Sequence, residues 1–330
     1  MPETDLQKEL FVLIKNTLPS HISLVDAIAD LLNISYDSVY RRIRGEKPIS
    51  LNELKILCEH FHISLDQVLQ VKNESVVFNA PEINGSDPDF RVYLKGVLGQ
   101  MKYFNSFEKR EMLYQCKDAP IFYYYLFPEI GAFKTFCWLK TIINHPDYQD
   151  KTFSFQEFPF EDCNQIGQQI LKEYNILPST ELWTFESLNS TMNQVEYYRD
   201  AGLFKTKEDL IMVIDSLNKT LNHLQEQANA GVKFMPGAAV VNNKVLFKFC
   251  LNEVLLGNNT IICNLDEQRL SIITYNALNY LITKDERFGK IQLHGFNTLV
   301  SRSTIISGTG EKERNKFFRV QREKILQLKK

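Results

Sequence analysis

Apolar positions in the first seventy residues fall into short helical periods, and each of four periods is introduced by an isoleucine and a serine: Ile22-Ser23, Ile34-Ser35, Ile49-Ser50 and Ile63-Ser64. A serine at the N-cap accepts a hydrogen bond from a free backbone N–H of the first turn. An apolar residue just before it packs back onto the position four beyond the cap. Those packing partners are Val39, Leu54 and Val68 for the last three repeats, while the first offers Ala27. Thr4 with Gln7, Ser23 with Asp26, Ser50 with Glu53 and Ser64 with Gln67 add the spacing of a capping box. The pattern predicts five helices over 5–18, 24–32, 36–44, 51–61 and 65–70, with Gly45 and Pro48 closing the third.

Residues 72–90, with Asn79-Ala80-Pro81 and Asn84 to Pro88, are polar and turn-rich and read as a linker. Helical periods resume from Phe90 to about Gly231. Within them, 121–138 concentrates Phe122, Tyr123, Tyr124, Tyr125, Phe127, Phe133, Phe136 and Trp138. Such density reads as core, since each ring buries a large area. A ligand pocket lined with phenolic donors is the alternative. Leu210, Ile214, Leu217, Leu221, Leu224 and Ala228 alternate by four and three, which fits either a core helix or a seam between subunits. After Ala238 the pattern changes to strands over 245–256, 260–264 and 270–275, with turns at Asn242-Asn243 and Gly257-Asn258-Asn259. A helix over 276–283, strands near 290–296 and 299–307, and a basic last helix over 311–330 complete the prediction.

Composition narrows the function classes. The 330 residues are 44% hydrophobic and 24% charged, with a formal net charge of −2, so DNA binding would need a local basic patch rather than a global field. The six cysteines show no metal-ligand spacing and suit a reducing compartment. The N-terminal residues lack the basic and apolar regions of a signal peptide, and 121–139 is interrupted by Pro128, Glu129 and Lys134, so no membrane partner and a cytoplasmic location are expected. His60 and His62 point to different sides of a helix and read as structural. Ser307-Gly308-Thr309-Gly310 lacks the strand, lysine and helix context of a phosphate loop and reads as a turn. No catalytic constellation, metal site or cofactor motif stands out, so an enzyme is not expected.

The stretch from Ile28 to Gly45 carries the most specific signal. Leu32-Asn33-Ile34-Ser35 is a short turn between two helices, and asparagine is the residue after glycine that best tolerates the left-handed region. Ala29, Asn33 and Val39 occupy the positions of the small contact residue, the turn residue and the apolar anchor of a helix-turn-helix. The stretch resembles the phage-repressor-like (Xre-type) regulators of bacteria, and more closely their BetR-type variant. It departs from them in having Asn33 for glycine and Arg42 where a second apolar anchor usually sits.

The resemblance implies a recognition helix at 36–44 whose base-reading places fall on Tyr36, Asp37 and Arg41. Arginine can pair with guanine, aspartate can accept from cytosine, and a tyrosine ring can meet a thymine methyl. Ser38 and Tyr40 belong to the same proposed DNA-binding set. Arg42, Arg44 and Lys47 are assigned to phosphates, which fix register without reading sequence. The expectation is therefore an α+β multidomain protein. A five-helix helix-turn-helix domain (1–71) and a linker (72–90) precede a helical domain (91–231) and a mixed α/β domain (232–330). The expected function is sequence-specific transcription regulation on double-stranded DNA, as a homodimer, with room for a small-molecule effector in the larger region. The alternative is an interaction or signalling protein whose N-terminal helices dock a protein partner.

Overall fold

A computed structural model describes residues 6–19, 21–69, 76–80, 89–238, 246–253 and 257–329, apart from the side chains of Asp66 and Gln67. The N-terminal helices are α1 (Leu6–Thr17), α2 (Leu24–Leu32), α3 (Tyr36–Ile43), α4 (Leu51–Phe61) and α5 (Leu65–Leu69). Their boundaries follow the caps. Ser23, Ser35 and Ser50 accept from Asp26, Ser38 and Glu53 N–H respectively, and Ser50 with Glu53 forms a full capping box. Val39 and Val68 are buried, and Ile34, Ile49, Ile63 and Leu54 join them in one core with Leu10, Phe11, Ile14, Ile28 and Leu57. Thr4 and the Gln67 side chain, expected in two of the capping boxes, lie outside the described residues, as do Asn84 to Pro88 and the Asn242-Asn243 turn.

The larger region continues with α6 (Phe90–Asn105), β1 (Arg110–Cys116), α7 (Pro128–Cys137), α8 (Glu161–Asn175), β2 (Ser179–Trp183), α9 (Asn189–Asp200) and α10 (Lys207–Ala230). Then come β3 (Phe247–Leu251), β4 (Thr260–Leu265), β5 (Gln268–Thr274), β6 (Tyr280–Thr283), α11 (Glu286–Ser301), β7 (Thr304–Ile305) and α12 (Glu311–Gln327). The described residues form one seven-stranded sheet in the order β6-β5-β4-β1-β2-β3-β7. The β1–β2 and β2–β3 pairs are parallel and the others antiparallel.

Side chains alternate across a strand, and the two faces are covered differently. Tyr114, Cys116, Trp183, Phe249 and Cys263 belong to the main core, whereas Leu113, Leu182, Cys250 and Ile262 meet Phe296 of α11. The fold is thus α+β: N-terminal helices, a helical middle and a mixed sheet. The helical middle is not purely helical, however, because β1 and β2 lie inside it and sit at the centre of the sheet. Residues 91–231 and 232–330 share that sheet.

Three other expectations are corrected. The helix expected over 276–283 does not form, since 276–279 are irregular and 280–283 are β6, and α11 replaces the strand expected near 290–296 and the start of the one near 299–307, of which Thr304–Ile305 forms β7. Asp285 caps α11 through the Phe288 N–H, and its β-branched and aromatic residues look strand-like only when read one by one. The 210–228 seam is not a subunit surface. Ile214, Leu217, Leu221, Leu224 and Ala228 are all buried within the chain's own core.

The aromatic segment is likewise core. Phe122, Tyr123, Tyr124 and Tyr125 form a 3-10 turn at 121–125, followed by buried Phe133, Phe136 and Trp138. Tyr125 packs so closely on α8 that a Cβ at Gly167 would lie 2.1 Å from its ring. The 307–310 segment is a turn: Gly308 N–H donates to the Ala228 carbonyl, and the carbonyls of Ile306 and Thr309 accept from Arg314. In α12 and just beyond it, Lys316, Arg319, Arg322, Lys324 and Lys329 all have protein partners, which argues against phosphate contact.

The burial of the seam predicts how it responds to charge. Leu217→Glu places an unpaired carboxylate among apolar side chains, and such changes are among the most destabilising known. The expected outcome is an unfolded or strongly destabilised larger region in thermal melts, not a folded monomer by light scattering.

Candidate nucleic-acid interface

The turn between α2 and α3 is set by Asn33, which takes the left-handed conformation (φ 51°, ψ 51°) and donates its N–H to the Ala29 carbonyl. The Ile34 N–H reaches the same carbonyl at 3.1 Å. His62 does the same work after α4, with φ 53° and its N–H on the Cys58 carbonyl, so Asn33-Ile34-Ser35 and His62-Ile63-Ser64 are equivalent joints.

With the turn fixed, α3 seats Val39 and Arg42 inward. The opposite face carries Tyr36, Asp37, Tyr40, Arg41 and Arg44, all exposed, while Ser38 is half-buried beside its cap Ser35. Lys47 is exposed in the loop that follows. Tyr36 and Tyr40 keep 55% and 49% of their surface accessible, which is unusual for two large rings one helical turn apart.

One proposed phosphate ligand is corrected. Arg42 is only 3% exposed. Its guanidinium meets Glu53 Oε1 at 2.6 Å and donates to the Ser38 carbonyl at 3.0 Å. It is held inside the domain in place of the second apolar anchor, while Ile43 beside it is only partly buried against the core.

Two features of the face lie outside the expected residue set, and the first has no local sequence signal. Gln7 of α1 donates through Nε2 to the carbonyls of Arg42 (2.7 Å) and Lys47 (2.8 Å) and accepts the Ile49 N–H (2.9 Å). These partners lie 35 to 42 residues away in sequence, so the expected Thr4–Gln7 capping role gave no hint of them. Glu46 is the second feature. It makes two hydrogen bonds with Arg44, at 2.6 and 3.0 Å, and lies 4.0 Å from Arg41. The bonds from Arg44 hold its carboxyl below the ordinary value.

Glu53 is also held below its ordinary value of 4.5. Burial pushes it up, but the Ser50 N–H and the Arg42 guanidinium outweigh that. Its contribution to stability is therefore complete above the ordinary carboxylate range and lost as pH falls through the lower folded value. Arg42→Ala removes the partner and leaves buried acceptors unmet, so it should destabilise the N-terminal helices by about 1–3 kcal/mol. Denaturant melts at pH 7 should show this loss, and the difference from wild type should shrink in acid.

Residues 19–87 match the family model of the BetR domain, a helix-turn-helix DNA-binding family related to Xre-like regulators. The match includes α2 to α5 and leaves out α1, which supplies Gln7. No curated protein and no solved structure matches the chain. The N-terminal helical region thus fits that family model, which at a coarse level suggests a helix-turn-helix DNA-binding regulator.

Proposed function

We propose that this chain is a sequence-specific transcription regulator that reads duplex DNA with the exposed face of α3. The observation that carries the reading is that face itself. Tyr36, Asp37, Tyr40 and Arg41 stand side by side in solvent, just after a helix-turn-helix joint built on Asn33. Recognition helices present N-terminal residues to base edges in the major groove. Arg41 is the base-pairing candidate, Asp37 and the two tyrosines its neighbours, and Ser38 the residue that orients the helix start. Arg44 and Lys47 take phosphates, and Arg42 acts from inside.

Alanine substitution separates these roles. Arg41→Ala should cost about 1–3 kcal/mol of specific affinity and relax preference at one base pair. Lys47→Ala should weaken all sequences alike and reduce the salt slope by about one unit. Glu46→Gln should free Arg44 and remove a negative charge beside the DNA backbone, strengthening binding to every duplex at low salt. Fluorescence anisotropy over a salt series checks all three, and unchanged affinity and preference in Arg41→Ala would place the reading face elsewhere.

Helix-turn-helix regulators commonly read two half-sites. We therefore propose that residues 89–329 pair subunits and report a signal, through a surface other than the buried α10 seam, in a protein that works in the cytoplasm. The N-terminal domain, with a core separate from that of the sheet, is proposed to fold alone as residues 1–71. Circular dichroism of that fragment should show a helical domain. Its operator binding should be weak, because the tethered second half-site is lost. Light scattering should find the full chain dimeric, and a monomer at high micromolar concentration would overturn the pairing.

A further inference from the structure

A cavity of about 300 Å³ lies between α6, the 121–125 turn, α7 and the main-core face of the sheet. Its walls are mostly apolar and aromatic, with Met101 and Phe104 from α6 and Met112 and Ile272 from the sheet. One buried charge lines it. Lys134 of α7 is 3% exposed, and its ammonium donates to Gln194 Oε1 at 2.6 Å and Thr191 Oγ1 at 3.2 Å. It also lies over the rings of Tyr124 (4.4 Å) and Trp138 (5.2 Å). All four partners are neutral. Among the described residues no acidic side chain reaches ion-pair distance of it. Burial holds its pKa down to about 8, against the longer-range pull of Cys137 and Asp118.

A buried ammonium with only neutral partners is costly to keep, because ring faces and amide oxygens replace its hydration incompletely. An anion entering the cavity would recover that cost. Tyr114, a residue 5% exposed, lines the same space, and among the described residues its hydroxyl makes no hydrogen bond. It can donate to an oxygen of the same anion. Lys117 and Asp118 also border the cavity, but they are more exposed and opposite in sign. The net demand is for one negative charge and an apolar body.

We infer that this cavity binds a small amphipathic monocarboxylate, with the carboxylate on Lys134 and Tyr114 and the apolar part against the aromatic wall. The cavity volume is at the lower end of those that hold small ligands, which suits a single ring or branched chain. The site also has a route to the DNA-binding domain. Tyr280 and Leu278 border the cavity, and on β6 Ile282 exchanges two backbone hydrogen bonds with Asn79 of the linker (2.7 and 2.8 Å). Phe78 packs edge-on against Phe288 of α11 beside it. The consequence for DNA rests on the regulator reading above; binding at the cavity does not.

The test uses the full chain without DNA. Phenylacetate, 3-phenylpropionate and indole-3-acetate are titrated by calorimetry and thermal melts beside their primary amides. At least one acid should bind about tenfold or more tighter than its amide. Lys134→Met should abolish that preference, and Tyr114→Phe should weaken acid binding. Lys134→Gln, which keeps a polar head for Thr191 and Gln194, takes the place of Lys134→Met if that variant does not fold. Absence of binding by all three acids, equal binding of acid and amide, or a preference that survives loss of the ammonium would each overturn the site. A separate anisotropy measurement with DNA then asks whether the bound acid shifts affinity and whether Phe78→Ala removes the shift. Failed DNA binding with intact acid binding would count against the regulator reading alone.

Discussion

A carboxylate in the middle of the sheet organises the larger region. Glu181 of β2 is fully buried and accepts from the hydroxyls of Tyr123 (2.5 Å) and Tyr174 and from the Trp183 indole N–H (2.7 Å). Burial pushes its pKa up, against the hydrogen bonds and the nearby Lys233. Lys233 sits over the Tyr174 ring and donates to the carbonyls of Tyr174 and Leu177. A buried carboxylate is tolerated only when its acceptor capacity is met. Meeting it here draws together the 121–125 turn, the end of α8, β2 and the chain after α10. With Tyr123 tied inward to Glu181, its neighbour Tyr124 turns to Thr191 and supplies a ring for Lys134. The polar network under the sheet therefore shapes the cavity wall beside it.

Among the described residues two buried lysines, Lys134 and Lys233, make an instructive pair. Lys233 has Glu181 near and two backbone carbonyls in reach, and burial lowers it to about 7. Lys134 has side-chain oxygens and ring faces instead, and it borders open space. Interior position alone would make both structural. What separates them is that the first is enclosed by groups that satisfy it, whereas the second faces a volume into which a partner could fit.

The N-terminal five-helix region was legible because its determinants are local. A cap, the N–H groups it meets and the residue that packs over it lie within five positions, so the helices begin and end within a residue or two of the expected places. The sheet was less legible for the opposite reason. Arg110 to Cys116 reads as good helix-forming sequence, and Ser179 to Trp183 is buried at every position, so neither strand shows the alternation that marks one with a solvent face. Their strand character comes from pairing with each other and with segments far away in sequence, where tertiary context overrides propensity. The exposed residues of the candidate DNA face could be read from helical geometry once the seat of α3 was assumed. Arg42 could not, because its partner Glu53 belongs to the next helix.

That exchange of an apolar anchor for an ion pair bears on how the face is aimed. A buried or half-buried charge pair adds little net stability over an apolar contact of the same size, so its value lies in direction. Arg42 is tied at once to Ser38 at the start of α3 and to Glu53 in the first turn of α4, where Glu53 also closes the Ser50 capping box. Gln7 holds the loop between them through three backbone groups. An apolar anchor would fill the same space but could slide or rotate, whereas the bonds from Arg42 to Glu53 of α4 and from Gln7 of α1 to the Arg42 carbonyl specify one rotation of α3. The exposed tyrosines and arginines inherit that rotation. The α1 helix, although outside the matched BetR segment, is therefore part of what positions the residues of the candidate DNA face.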